Sequence, residues 1–173
     1  MPFVNLKLVK GQASQGQKNR LIEGITDLIV NVMGRERNMT VITIDELERD
    51  QWAIGGKTLN HPMFQNRIVS FVNIKVSKGT TNPDEISKMM KSTKALLTDV
   101  LGNYDETNYF IIDELNPDGW GFDGLSMTDR GKMESWPAWL NWNLFTNRNY
   151  LLTYYSYNTQ PSKSSELPIR PVI

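Results

Sequence analysis

Met1 is followed directly by Pro2, and this pair offers the most distinctive chemistry in the chain. With Met1 removed, the proline nitrogen becomes a free secondary amine. An α-amine titrates at roughly 7.7–8.0 in peptides, and burial lowers it towards neutrality by disfavouring the charged form. A base tuned near the working pH suits general acid–base catalysis. With Met1 retained the nitrogen is an amide, which cannot act as a base. The plainer reading of Pro2 is a strand-edge proline. Asp45-Glu46 and Asp113-Glu114 supply carboxylates, yet their recurrence at strand ends favours a structural role. Lys7 and Lys75 share a strand face and could serve an anion, solvated or interface charges being the plainer alternative. His61 is the only histidine and cannot build a metal site alone. Asn116-Pro117-Asp118-Gly119 reads as a turn, because the spaced acidic ligands of a calcium loop are absent. The absence of cysteine excludes thiolate nucleophiles and Cys-ligated metals.

The elements that must position these groups are announced by an internal repeat. The run from Pro2 to Gly11 (PFVNLKLVKG) aligns with Ser70 to Gly79 (SFVNIKVSKG), and the offset of 68 residues persists without a gap. Gly34 meets Gly102, Asp45-Glu46-Leu47 meets Asp113-Glu114-Leu115, Trp52 meets Trp120, and Gly56 meets Gly124. Each copy reads as strand, helix, strand. Residues 3–9 alternate, with Val4, Leu6 and Leu8 on one face. Ser14 and Gln17 form a capping box, and Asn82 with Pro83 and Glu85 opens the second helix. Leu21, Ile22, Ile25, Leu28, Ile29 and Val32 make one apolar stripe; Met89, Met90, Thr93, Leu96, Leu97 and Val100 repeat it. Gly34 and Gly102 are expected as C-terminal caps. Thr40–Leu47 and Asn108–Leu115 read as second strands.

A strand–helix–strand crossover implies parallel pairing. The expected fold is therefore α+β in two layers: two tandem β-α-β units forming a four-stranded sheet, with both helices on one face. The sheet's other face calls for a cover, and self-association is the obvious candidate. The expected division is a domain over 1–130, built from repeats 2–60 and 70–126, followed by an aromatic-rich C-terminal extension over 131–173. In that extension a short helix is expected to carry Trp139, Trp142 and Phe145, with a strand over Tyr150–Tyr157 and a loose Ser- and Pro-rich end.

The first copy resembles the 4-oxalocrotonate tautomerase family. The resemblance rests on Met1-Pro2 entering a strand, Gly11, Gln17-Lys18, Leu21-Ile22, Ile25-Thr26, Asp45-Glu46 and the ending Trp52-Ala53-Ile54-Gly55-Gly56. Two tandem copies are similar to the longer branches of that superfamily, among them fused tautomerases and macrophage migration inhibitory factor. The resemblance implies a homotrimer with inward-facing sheets and keto–enol interconversion by proton transfer α to a carbonyl. It implies one active site per chain, since Ser70 stands where the second proline would be.

The resemblance also assigns site residues, with departures. The arginine expected after Gly11 is Gln12, and Thr80 in the second copy; the strand arginine aligns with Val41 and Tyr109. The usual dicarboxylate clamp is missing, which argues against 2-hydroxymuconate as natural substrate. Arg35 matches a basic residue of the migration-inhibitory-factor branch, and Tyr109 matches that branch's active-site tyrosine, supplied across a subunit boundary. With Pro2 these two are the expected catalytic set, a guanidinium gripping a carboxylate and a phenol donating to it. Arg35 also reads as a solvated charge favoured by a helix C-terminus, and Tyr109 as an ordinary aromatic strand residue. Trp52 matches the aromatic wall of the 4-oxalocrotonate site. Trp120, its repeat partner, is the second substrate-binding candidate, with a structural role as its plainer reading.

Charge and composition bound the partners. Lys plus Arg (19) balances Asp plus Glu (19), so no long-range field points to nucleic acid or an anionic membrane. No apolar run approaches membrane-spanning length, and cytoplasmic is the default location. The expected substrate is a small keto or enol acid, with no cofactor and no metal. Two other readings stay open: a decarboxylase- or dehalogenase-type lyase of the same superfamily, and a non-catalytic assembly protein if Met1 is retained.

Overall fold

Val4, Leu6 and Leu8 are withdrawn from solvent while Phe3, Asn5 and Lys7 between them are half-buried, which makes β1 (Phe3–Val9) a strand with one core face. The computed structural model describes residues 1–102 and 106–134. Helix α1 (Gln15–Met33) opens on the expected capping box: Ser14 Oγ accepts from the Gln17 amide at 3.3 Å, and the Gln17 side chain accepts from the Ser14 amide at 2.9 Å. Its buried stripe is Leu21, Ile25, Ile29 and Met33, whereas Ile22 lies at the stripe's edge, 37% exposed. Gly34 closes the helix in the left-handed conformation, φ 63° and ψ 30°. Strand β2 (Val41–Leu47) follows, then a small hairpin of β3 (Ala53–Ile54) and β4 (Lys57–Thr58).

The second copy repeats the plan in β5 (Ser70–Ser77), α2 (Pro83–Leu101) and β6 (Tyr109–Leu115). Asn82 caps α2 by accepting from the Glu85 amide at 3.0 Å. Gly102 caps α2 as expected, its amide donating to the Thr98 carbonyl at 2.9 Å, and at φ 90° and ψ −136° it leaves the helix through a region open essentially to glycine. Next come β7 (Gly121–Phe122), β8 (Leu125–Ser126) and α3 (Met127–Glu134). The Trp139, Trp142 and Phe145 helix face and the Tyr150–Tyr157 strand lie outside the described residues.

Packing divides the chain into a unit of Met1–Gly121 and a second beginning at Phe122. In the first, the sheet order is β2-β1-β5-β6. β1 pairs parallel with β2 and β5 parallel with β6, as the crossovers require. The two copies meet through antiparallel β1 and β5, with Asn5 opposite Asn73. Asn73 is the repeat counterpart of Asn5, so a pseudo-two-fold axis runs through that pair. Both helices lie on one face, where Leu6, Leu21, Ile25, Val72, Met89 and Leu97 share one core. The helices are antiparallel: Gln17 at the start of α1 donates to the Val100 carbonyl near the end of α2 at 2.7 Å. Odd-numbered strand residues form the other face, and on it Val41, Ile111 and Tyr109 are 43%, 37% and 69% exposed. In the second unit, the Arg130 guanidinium stacks 3.5 Å from the Phe122 ring centroid and donates to the Phe122 carbonyl at 2.7 Å.

Among the described residues, no helix is long and apolar enough to cross a membrane.

Candidate active site

The antiparallel meeting of the copies gives the sheet two quasi-equivalent ends. Pro2 begins β1 at one end, and Ser70 begins β5 at the other. Pro2 is buried, and its carbonyl accepts from the Val41 amide at 3.3 Å, which ties the chain's first residues to the start of β2.

Arg35 stands at the Pro2 end. It follows Gly34, where α1 stops, and its guanidinium donates to the Thr80 carbonyl in the turn after β5. Trp120 joins that end through β5, its Nε1–H donating to Ser77 Oγ at 3.2 Å. Trp52 and Tyr109 are elsewhere. Both line a cavity of about 470 Å³ at the Ser70 end, together with Lys7, Ile54, Ser70 and Phe71. The five site residues expected from sequence therefore fall into two groups within one chain: Pro2, Arg35 and Trp120 at one end, Trp52 and Tyr109 at the other.

The positions that lack arginine have local work of their own. Gln12 faces the backbone of Val69, donating to its carbonyl at 2.9 Å and accepting from its amide at 3.2 Å. Val69 is fully buried, so both groups rely on that amide side chain. Gln12→Ala should cost about 1–3 kcal/mol in a urea titration, the penalty for orphaning buried polar groups. A loss within roughly 0.5 kcal/mol, ordinary for a surface change, would show that the clip is dispensable. Arg49 performs a similar task that sequence spacing did not reveal. It donates to the Leu59 carbonyl at 2.6 Å and the Phe64 carbonyl at 2.9 Å, pinning the connector against the second core of Val9, Leu59, Phe64 and Val69.

Of the remaining candidates, Glu46, Asp113, Lys75, His61 and the Asn116–Gly119 turn are engaged in the scaffold. Glu46 pairs with Lys18 at 2.7 Å, and that hydrogen bond holds its carboxyl below the ordinary range. Asp113 accepts from Asn73 at 2.7 Å and from Lys75 at 3.2 Å; the Asn73 bond is the larger cause of its lowered pKa, with Lys75 adding to it. His61 Nδ1 accepts from the Met63 amide at 3.3 Å and caps a short turn. Asn116 to Gly119 is a turn, closed by the Gly119 amide on the Asn116 carbonyl at 2.9 Å.

Comparison with known proteins agrees with the duplication. A family model described as Tautomerase enzyme matches residues 2–61 and again 71–130. A probable tautomerase of Dickeya dadantii is 44% identical over 59 residues, 34% of this chain and 88% of that protein. The 2-hydroxymuconate tautomerase of Bacillus subtilis is 32% identical over 60 residues, 35% of this chain and 95% of that protein. Among solved structures, a wild-type fused 4-OT in a symmetric trimer superposes with a TM-score of 0.64 at 15% identity, covering 75% of this chain and 98% of the other. One family model matched twice, over two copies of one β-α-β unit, settles the affiliation: the chain belongs to the tautomerase family.

Proposed function

We propose that the protein is a keto–enol tautomerase of small 2-keto or enol carboxylic acids, with the Pro2 amine as its general acid and base once Met1 is removed. The observation that carries this reading is the place of Pro2, buried at the head of β1 in a chain that matches the tautomerase model in both copies. A nitrogen there is held by the strand behind it and has no side chain of its own to compete. It takes a proton from the carbon α to the carbonyl and returns it to the other end of the enolate system, so that no net proton is consumed.

Arg35 at the same end grips the substrate carboxylate. One guanidinium bond to Thr80 orients the group and leaves further N–H donors for a ligand. Trp120 forms an apolar wall at the Pro2 end, while Tyr109 and Trp52 of a neighbouring subunit approach the site across the interface, where the phenol donates to the developing enolate oxygen.

This arrangement calls for a homotrimer. Support comes from Val41, Ile111 and Tyr109, exposed on the sheet face that the helices leave bare, and from the trimeric fused 4-OT of the same fold. Light scattering at micromolar concentration is expected to give the mass of three chains, and a stable monomer would contradict the shared site. Activity is tested with Met1-free protein, confirmed by mass spectrometry, ketonising phenylenolpyruvate. Turnover no faster than buffer for this and other aryl- and alkyl-substituted enol acids would end the proposal.

A further inference from the structure

The turns that follow β1 and β5 have one backbone and two sets of side chains. In the first, the Lys10 amide donates to the Leu47 carbonyl at 2.9 Å and the Gln12 amide to the Val9 carbonyl at 3.0 Å. In the second, the Lys78 amide donates to the Leu115 carbonyl at 2.8 Å and the Thr80 amide to the Ser77 carbonyl at 3.3 Å. These are the same bonds, 68 residues on. Gly11 and Gly79 take φ 78° and 77°, the left-handed region that glycine enters without strain. With the backbone shared, any difference in task lies in the side chains.

The tasks diverge. In the first turn Val9 belongs to the second core, Trp52 packs against that core, and the Gln12 side chain clips Val69. Both residues serve the scaffold. In the second turn Ser77 stands for Val9 and Thr80 for Gln12. Ser77 Oγ accepts from the Trp120 indole at 3.2 Å, a bond that valine has no atom to offer Trp52. Thr80 Oγ1 donates to the Ser77 carbonyl at 2.6 Å and clasps the turn, while the Thr80 carbonyl takes the Arg35 guanidinium. One four-residue turn therefore anchors the indole at its start and the cation at its end, both at the Pro2 end of the sheet. A tethered N–H limits the torsions of the indole and presents its flat face in one orientation. A guanidinium already fixed by one N–H loses less freedom when it grips a carboxylate.

We propose that the Ser77–Thr80 turn is the specificity-determining positioning element of the Pro2 site: Ser77 sets a preference for an aryl group through Trp120, and Thr80 seats Arg35 for the carboxylate. The inference rests on the proposed function for the place of the site and its acid ligand, and not on the Pro2 amine acting as the base.

The test uses the full chain with Met1 removed and reads binding apart from catalysis. Phenylacetate and butanoate are titrated while the indole N–H of Trp120, assigned with Trp120→Phe, is followed by nitrogen–proton NMR. Saturable shifts are expected, with phenylacetate bound more tightly than butanoate. Ser77→Ala should displace the indole signal of the free protein and weaken phenylacetate about three- to tenfold, the worth of one aromatic contact, with a smaller effect on butanoate. Ser77→Thr keeps the hydroxyl and should keep the preference. Thr80→Val should weaken both acids alike, by about three- to tenfold, and Thr80→Ser should restore them. An unmoved Trp120 signal with either acid, an undiminished aryl preference in Ser77→Ala, or unchanged affinities in Thr80→Val would each overturn the proposal. Proton exchange at C3 of phenylpyruvate in deuterated water separates the two readings. No exchange alongside the expected selectivity ends the catalytic one alone, and exchange with selectivity unaltered in Ser77→Ala ends this one alone.

Discussion

Acetylating the Pro2 nitrogen of Met1-free protein will remove its ketonising activity, a loss of about 10²–10⁴-fold set by what general acid–base catalysis contributes. In free-energy terms this is about 3–5 kcal/mol of barrier, far above the scatter of a rate assay. The cause is electronic: an acylated nitrogen delocalises its lone pair into the carbonyl and cannot accept a proton near neutral pH. Protein that keeps Met1 carries the same amide at Pro2 and should be equally silent. Pro2→Ala is the informative intermediate, because it keeps an N-terminal amine but makes it primary and frees its backbone angle. Its activity should fall without vanishing. Arg35→Ala should behave differently again, raising KM more than it lowers kcat if the guanidinium holds the carboxylate equally in ground and transition states. Undiminished turnover in verifiably acetylated protein would move the chemistry to another group.

Leu6→Ala will destabilise the chain by about 2–5 kcal/mol, a large share of the roughly 5–15 kcal/mol that holds a domain together. Leu6 is fully buried on the central strand β1, opposite Val72 of the second copy and Ile44 of the first. A cavity there loosens the contact on which both copies depend, and the flanking strands leave little room for collapse. Lys10 is a useful contrast. It ends the same strand in solvent, paired with Glu48 at 2.5 Å, and Lys10→Ala should stay within about 0.5 kcal/mol. Urea titration of the two variants measures both values. A Leu6→Ala loss no larger than that of Lys10→Ala would mean that the copies are held together elsewhere.

Much of this molecule is legible in the sequence because its determinants are local. Alternation from Phe3 to Val9, the Ser14–Gln17 capping box, the stripe from Leu21 to Met33 and the stop at Gly34 each act over a few residues, and the repeat states them twice. The parallel pairing within each copy follows from crossover geometry. The pairing between copies is different. Nothing in the period of either strand says that β1 meets β5 antiparallel with Asn5 on Asn73, because that contact joins segments 68 residues apart. Yet this one register sends Pro2 and Ser70 to opposite ends of the sheet, draws Trp52 of one copy to Tyr109 of the other, and separates both from Pro2. The same holds for charge. Lys7 and Lys75 are identical in type and in place within their copies, and only the packed structure pairs one and leaves the other facing a cavity. Sequence determined which elements form and which faces they bury; tertiary structure decided which residues become neighbours, since long-range register and side-chain pairing depend on the whole packed sheet.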